Sequence, residues 1–231
     1  ETWGLEWVSR GPECYRRIIS EIGESLLFMS TLADKPTVPP RCYISHEALH
    51  LHYEEAQTHA VADGKWLNLS THFPWIGMRT VDPAGAHMEY MRGIGNPVGV
   101  KVGPATTPEG LLETIDMLNP SNAEGKICLI TRLGADHATA KLKLLIDAVQ
   151  GEGRIVLWMV DPMHGNTEMT ATGYKTRHFE RICAEIDCTI KAHRAAGTYL
   201  GGLHLEISAD NVTECLGGTV AMELNDLPLH Y

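Results

Sequence analysis

Lys101, Arg132, His164 and Glu206 follow one another along the chain at the ends of successive apolar runs. A lysine and an arginine together suit a phosphate or a carboxylate, the arginine through its planar fork of donors. A neutral imidazole and a carboxylate suit a hard or borderline divalent cation. One charged strand end is ordinarily a solvated group. Four of complementary type on consecutive strands deliver their side chains to one rim, and in parallel α/β architectures that rim is where chemistry is placed.

The stretch RIVLWMVDPMHGNT, from Arg154 to Thr167, is the densest of these sites. Ile155 to Val160 reads as a fully buried parallel strand. Asp161, His164, Asn166 and Thr167 cluster just past its end, and Gly165 lets the backbone approach a ligand closely. His204 shares a strand face with Glu206 by alternation. It is read as a core histidine bonded to a neighbour, or else as a ligand or the partner of one. Arg79, beside Trp75, lies in a long aromatic segment. Lys175 and Arg177 are placed at the start of a helix, where a phosphate also finds free N–H groups. Glu185 and His193, further along that helix, are placed outside the site.

These residues need strands to hold them. The sequence predicts strands at 43–49, 97–102, 126–131, 154–160 and 201–207. Helices are predicted over 12–32, from 49 towards 62, 107–118, from the RLGAD segment to about 150, and 175–196. Thr107 caps its helix with Pro108 at the first position. Asp210 is read as the cap of a short helix ending near Gly217. The segment from Trp66 to His87 is read as a long shaped loop, because turn residues and aromatics crowd it. Strand–helix alternation with short links indicates a parallel sheet. No glycine-rich dinucleotide or nucleotide loop follows any strand. The domain reading is an N-terminal helix and Pro-rich connector over 1–40 and a (β/α) unit over 41–231.

Composition sets the outer bounds. The 231 residues are 44% hydrophobic and 21% charged, which is ordinary for a globular protein. A formal net charge of −10 argues against a nucleic-acid or anionic-membrane surface. No apolar run approaches the roughly 20 residues of a membrane span. Six scattered cysteines without a C-x-x-C pair fit a reducing, cytoplasmic setting.

The motifs WIGMRT, GNPVGVKVGP, ITRLGAD, DPMHGNT, GYKTRHF and HLEISADNVTECLGG occur in this order. Together they resemble the type II 3-deoxy-D-arabino-heptulosonate 7-phosphate (DAHP) synthases, from about Tyr43 to the C-terminus. The resemblance implies a (β/α)8 TIM barrel, of which about five strands are recognised here. It implies a metal-dependent transferase that condenses phosphoenolpyruvate with erythrose 4-phosphate, opening the shikimate route to aromatic amino acids. By the same resemblance His164 and Glu206 are ligands of Mn²⁺ or Co²⁺. Lys101, Arg132 and His164 are then catalytic, Lys101 and Arg132 hold the phosphate of phosphoenolpyruvate, and Arg79 closes over the substrates. Lys175 and Arg177 are carried as further substrate-binding residues, and a homo-oligomer is expected. The family's remaining two metal ligands, a Cys and an Asp, have no match in this sequence, and Met78 stands where the family has Glu. The alternative reading is a degenerate homologue or fragment that binds a phosphorylated ligand or a partner without turnover. A metal-dependent aldolase taking another aldehyde is a third.

Overall fold

The computed structural model describes residues 17, 20, 21, 23, 24, 43–208, 212–219 and 221–229. The chain divides into two compact units, Glu1–Tyr43 and Ile44–Tyr231. In the first, residues 17, 20, 21, 23 and 24 are helical; the rest of the helix predicted over 12–32, and the connector after it, lie outside the described residues.

The second unit is built on a six-stranded parallel sheet. Its strands are β1 (Ser45–Glu47), β4 (Phe73–Ile76), β5 (Val98–Val102), β6 (Ile127–Thr131), β7 (Leu157–Val160) and β10 (Leu200–Leu203), adjacent in that order. The order advances one neighbour at a time. A doubly wound sheet reverses at a switch point; this progression is compatible with a TIM-barrel-like α/β fold.

β5 and β6 are buried along their whole length, which is why VGVKV and ICLIT read as nearly continuous apolar runs. Helices α2 (Ala86–Gly93), α3 (Pro108–Leu118), α4 (Ala138–Gly151) and α5 (Phe179–Ala195) link the strands, after a short α1 (Leu51–Ala56). The Thr107 side chain accepts from the Gly110 N–H at 3.1 Å and Pro108 opens α3, as the sequence predicts. α3 and α4 turn Leu111, Ile115, Leu142, Leu145 and Ile146 onto the sheet.

α5 differs. Its buried residues are Ile182, Glu185, Thr189 and His193, a stripe that is mostly polar. A pair β2 (Thr58–Ala60) and β3 (Trp66–Asn68) forms a separate hairpin. β8 (Glu168–Met169), β9 (Lys175–His178) and β11 (Cys215–Leu216) form a small third sheet.

Several sequence expectations are corrected. The segment 66–87 is no plain loop, since it contains β3 and the sheet strand β4. Pro74 cannot donate to a ladder, and the register to β5 begins at Trp75, beyond the proline. The helix expected towards residue 62 stops at Ala56 and gives way to β2.

The helix expected from Lys175 starts only at Phe179. Lys175 and Arg177 lie on β9, the second arm of a hairpin turned at Gly173, where φ is +88°. β7 starts at Leu157 and β10 ends at Leu203, so both are shorter than predicted. Leu203, Leu205 and Ile207, which alternation puts on the face opposite His204 and Glu206, are exposed rather than packed on helices. Asp210 lies outside the described residues, and residues 212–217, where its helix was expected to end, hold β11 and no helix. No helix among the described residues is long and apolar enough to cross a membrane.

Candidate active site

The C-terminal ends of β1, β4, β5, β6 and β7 surround a cleft of about 220 Å³. Each contributes a polar or aromatic side chain: Glu47, Trp75, Lys101, Arg132 and Asp161, the last followed by His164. Arg79 and Met78 line the side made by the segment after β4. Small residues make these approaches possible. A Cβ at Gly77 would lie 2.0 Å from the Glu47 carboxylate, and one at Gly103 would meet the Met78 methyl at 2.7 Å.

Lys101 is 4% exposed, at the penultimate position of β5. Its ammonium donates to the Asp161 carboxylate and lies 4.8 Å from the centre of the Trp75 ring. Burial pulls its pKa below the ordinary lysine value, against the opposite pull of Asp161. Asp161 is fully buried. Burial opposes its ionisation, but the His164 ring and the Lys101 ammonium outweigh it and hold the carboxyl below the usual carboxylate range. Its other oxygen accepts from the N–H groups of Met163 and His164 at 3.0 and 3.1 Å. The sequence reading placed Asp161 in the cluster and gave it no role. It is the residue that ties Lys101 to His164.

Arg132 follows β6. Its Nη2 donates to the His164 carbonyl at 2.7 Å, and its buried Nε has no hydrogen-bond partner. An unmatched guanidinium N–H beside a buried lysine is a donor set that an anion would complete. Arg79 is largely exposed, 3.9 Å from the buried Glu47 oxygen, which accepts no hydrogen bond.

His164 Nδ1 lies 2.8 Å from Asp161 Oδ2. With that nitrogen donating, Nε2 keeps its lone pair, and it lies 3.8 Å from Glu206 Oε2. An imidazole oriented by a carboxylate, with a second carboxylate facing its free nitrogen, fits as part of a divalent-metal donor set. Among the described residues no group of three or more such side chains is arranged to hold a metal.

Arg177 reaches this edge from β9. Its Nη2 donates to Glu206 at 3.0 Å and its Nε to the Met163 carbonyl at 3.0 Å. Lys175, at the start of the same strand, is exposed and does not line the cleft. His204 is half-buried with its ring edge-on to Trp75, centroids 5.3 Å apart. Burial, and then the Lys101 charge, lower its pKa, so it is held neutral beside the site.

The chain matches the Class-II DAHP synthetase family over residues 1–231. It is 43% identical to the Mycolicibacterium smegmatis protein named phospho-2-dehydro-3-deoxyheptonate aldolase AroG, across 99% of this chain and 52% of that protein. It is 40% identical to the Neurospora crassa phospho-2-dehydro-3-deoxyheptonate aldolase, again across 99% of this chain and 52% of the relative. The chain thus spans about half the length of the curated relatives it matches. The family match over every residue and these identities lead to one statement: the chain belongs to the class-II DAHP synthetase family.

Proposed function

We propose that this chain carries the phosphate-holding and part of the metal-holding machinery of a DAHP synthase, which condenses phosphoenolpyruvate with erythrose 4-phosphate. The observation that carries the reading is the buried, unpartnered Arg132 Nε beside Lys101 at one cleft, with His164 and Glu206 at its edge. Lys101 and Arg132 hold the phosphate of phosphoenolpyruvate and fix the enol for attack from its C3 carbon. Arg79, exposed on the segment after β4, closes over the bound substrates. His164 and Glu206 would hold a divalent metal, Mn²⁺ or Co²⁺, which supplies Lewis acidity toward the aldehyde oxygen. Asp161 keeps the His164 tautomer and the Lys101 charge in place. The six parallel strands belong, on this reading, to a (β/α)8 barrel, and the protein works in the cytoplasm as a homo-oligomer.

The test is phosphoenolpyruvate consumption by the purified chain with Mn²⁺, with and without erythrose 4-phosphate. Loss that needs both metal and aldehyde is expected. Phosphoenolpyruvate binding with no consumption would refute catalysis by this chain and leave the anion site standing. Arg132→Lys is expected to weaken phosphoenolpyruvate binding about tenfold, or about 1.4 kcal/mol, because a point charge does not reproduce the guanidinium fork.

A further inference from the structure

Glu185 is fully buried on α5 and does not line the cleft. Its Oε1 accepts from the N–H groups of Leu133 at 2.8 Å and Gly134 at 3.0 Å. Its Oε2 accepts from Asn166 Nδ2 at 2.7 Å. Asn166 is 4% exposed. Its Nδ2 also donates to the Pro162 carbonyl at 2.8 Å, and its Oδ1 accepts from the Ala135 N–H at 3.0 Å.

Every donor to Glu185 therefore comes from one of two loops. One is the loop after β6, which begins with Arg132; the other is the loop after β7, which carries His164. The loops also touch directly. A Cβ at Gly165 would lie 2.4 Å from the Gly134 nitrogen, and Gly134 itself has φ of +80°. Arg132 Nη2 closes the contact onto the His164 carbonyl. Outside, Arg181 pairs with Asp136 at 2.6 Å, docking the first turns of α5 on the same loop.

A buried carboxylate is an expensive way to dock a helix. Burial raises the Glu185 pKa against the lowering effect of its three donors, and a leucine would bury apolar area at no such cost. What the carboxylate does, and a leucine cannot, is fix the direction of two backbone N–H groups and one side-chain amide at once.

We infer that Glu185 and Asn166 are a positioning pair that locks the Arg132 loop to the His164 loop, so that the guanidinium and the imidazole keep a fixed separation. The pair sets affinity for a phosphorylated ligand without touching it. The affinity part rests on the proposed anion site; the lock itself rests on the hydrogen bonds alone.

The experiment uses the whole chain and the near-isosteric variant Glu185→Gln, whose amide turns a donor toward the Asn166 amide or toward the loop N–H groups. Amide hydrogen exchange is followed by mass spectrometry, and phosphoenolpyruvate binding by calorimetry. Faster exchange is expected in both 132–136 and 163–167, with β6 and β7 unchanged, together with an affinity about tenfold weaker. Adding Asn166→Asp to Glu185→Gln returns an acceptor to face the new donor, so it is expected to recover part of both losses. A merely structural role would not give that reciprocal rescue.

If Glu185→Gln fails to fold, Asn166→Ala takes its place, since it removes the bridge and leaves the Leu133 and Gly134 N–H groups donating to Glu185. Exchange that accelerates only within α5, or in one loop without the other, overturns the lock. Coupled exchange with unchanged affinity overturns its role in binding. An unaltered chain that binds no phosphoenolpyruvate refutes the anion site, and the exchange measurement still decides the lock.

Discussion

Lys101 and Asp161 face each other at 4% and 0% exposure, so each holds the other's charge in a place where neither would be stable alone. Asp161→Asn leaves a buried ammonium without its counter-charge. A loss of about 3–5 kcal/mol is expected in urea denaturation, and Lys101→Met added to it should recover part of that loss. The pair also has a pH signature. Against the effect of burial, the folded pKa of Asp161 lies below the ordinary aspartate value of 3.8, held there by His164 and Lys101. Its stabilisation is therefore complete above about pH 4 and is lost as the pH falls towards the folded value. The acid limb of the stability curve should shrink in Asp161→Asn. Lys101, Arg132 and His164 were legible in the sequence because each stands at the end of an apolar run. Asp161 was visible in the same cluster, but its link to Lys101, 60 residues earlier, depends on β5 and β7 each being in register with β6, the strand between them. Glu185 was set aside because helical spacing says which face a residue is on and not that the face meets two loops.

Among the elements, the strands that lack a clean pattern were the ones misread. β4 carries Pro74 and β9 reads KTRH; neither has the β-branched run of β5 or β6, and both take their form from neighbours already in place. The glycines test how tightly the elements are set. Gly165→Ala drives a Cβ into the backbone of the opposite loop, where no side chain can yield. It should cost about 2 kcal/mol or more in chemical denaturation. Gly93→Ala meets nothing within 4 Å at the end of α2. It should raise stability by about 0.5–1 kcal/mol, because alanine has less freedom to lose. Thr107→Ala should cost about 1 kcal/mol in chemical denaturation from the lost cap of α3.

For the whole molecule, the buried histidines set the response to mild acid. His193 is 2% exposed, Nδ1 bonded to Thr198 at 2.8 Å and its ring against Trp158. Burial lowers its pKa, as it does for His204. The unfolded chain therefore binds more protons than the folded one around and below the ordinary histidine value of 6.5, and stability falls as the pH drops through that value. His193→Phe keeps the ring contact and removes the proton site, so the slope of stability against pH between about 6.5 and 5 should become shallower, with the share of His204 remaining.

The polar stripe that α5 buries has a consequence for anyone who would redesign this protein. A procedure that rewards apolar residues at buried helix positions would replace Glu185, Thr189 and His193 first. The product would resist heat better and hold the Arg132 and His164 loops less firmly. A more durable variant should therefore be sought on the exposed faces of α3 and α4, whose buried stripes are already apolar.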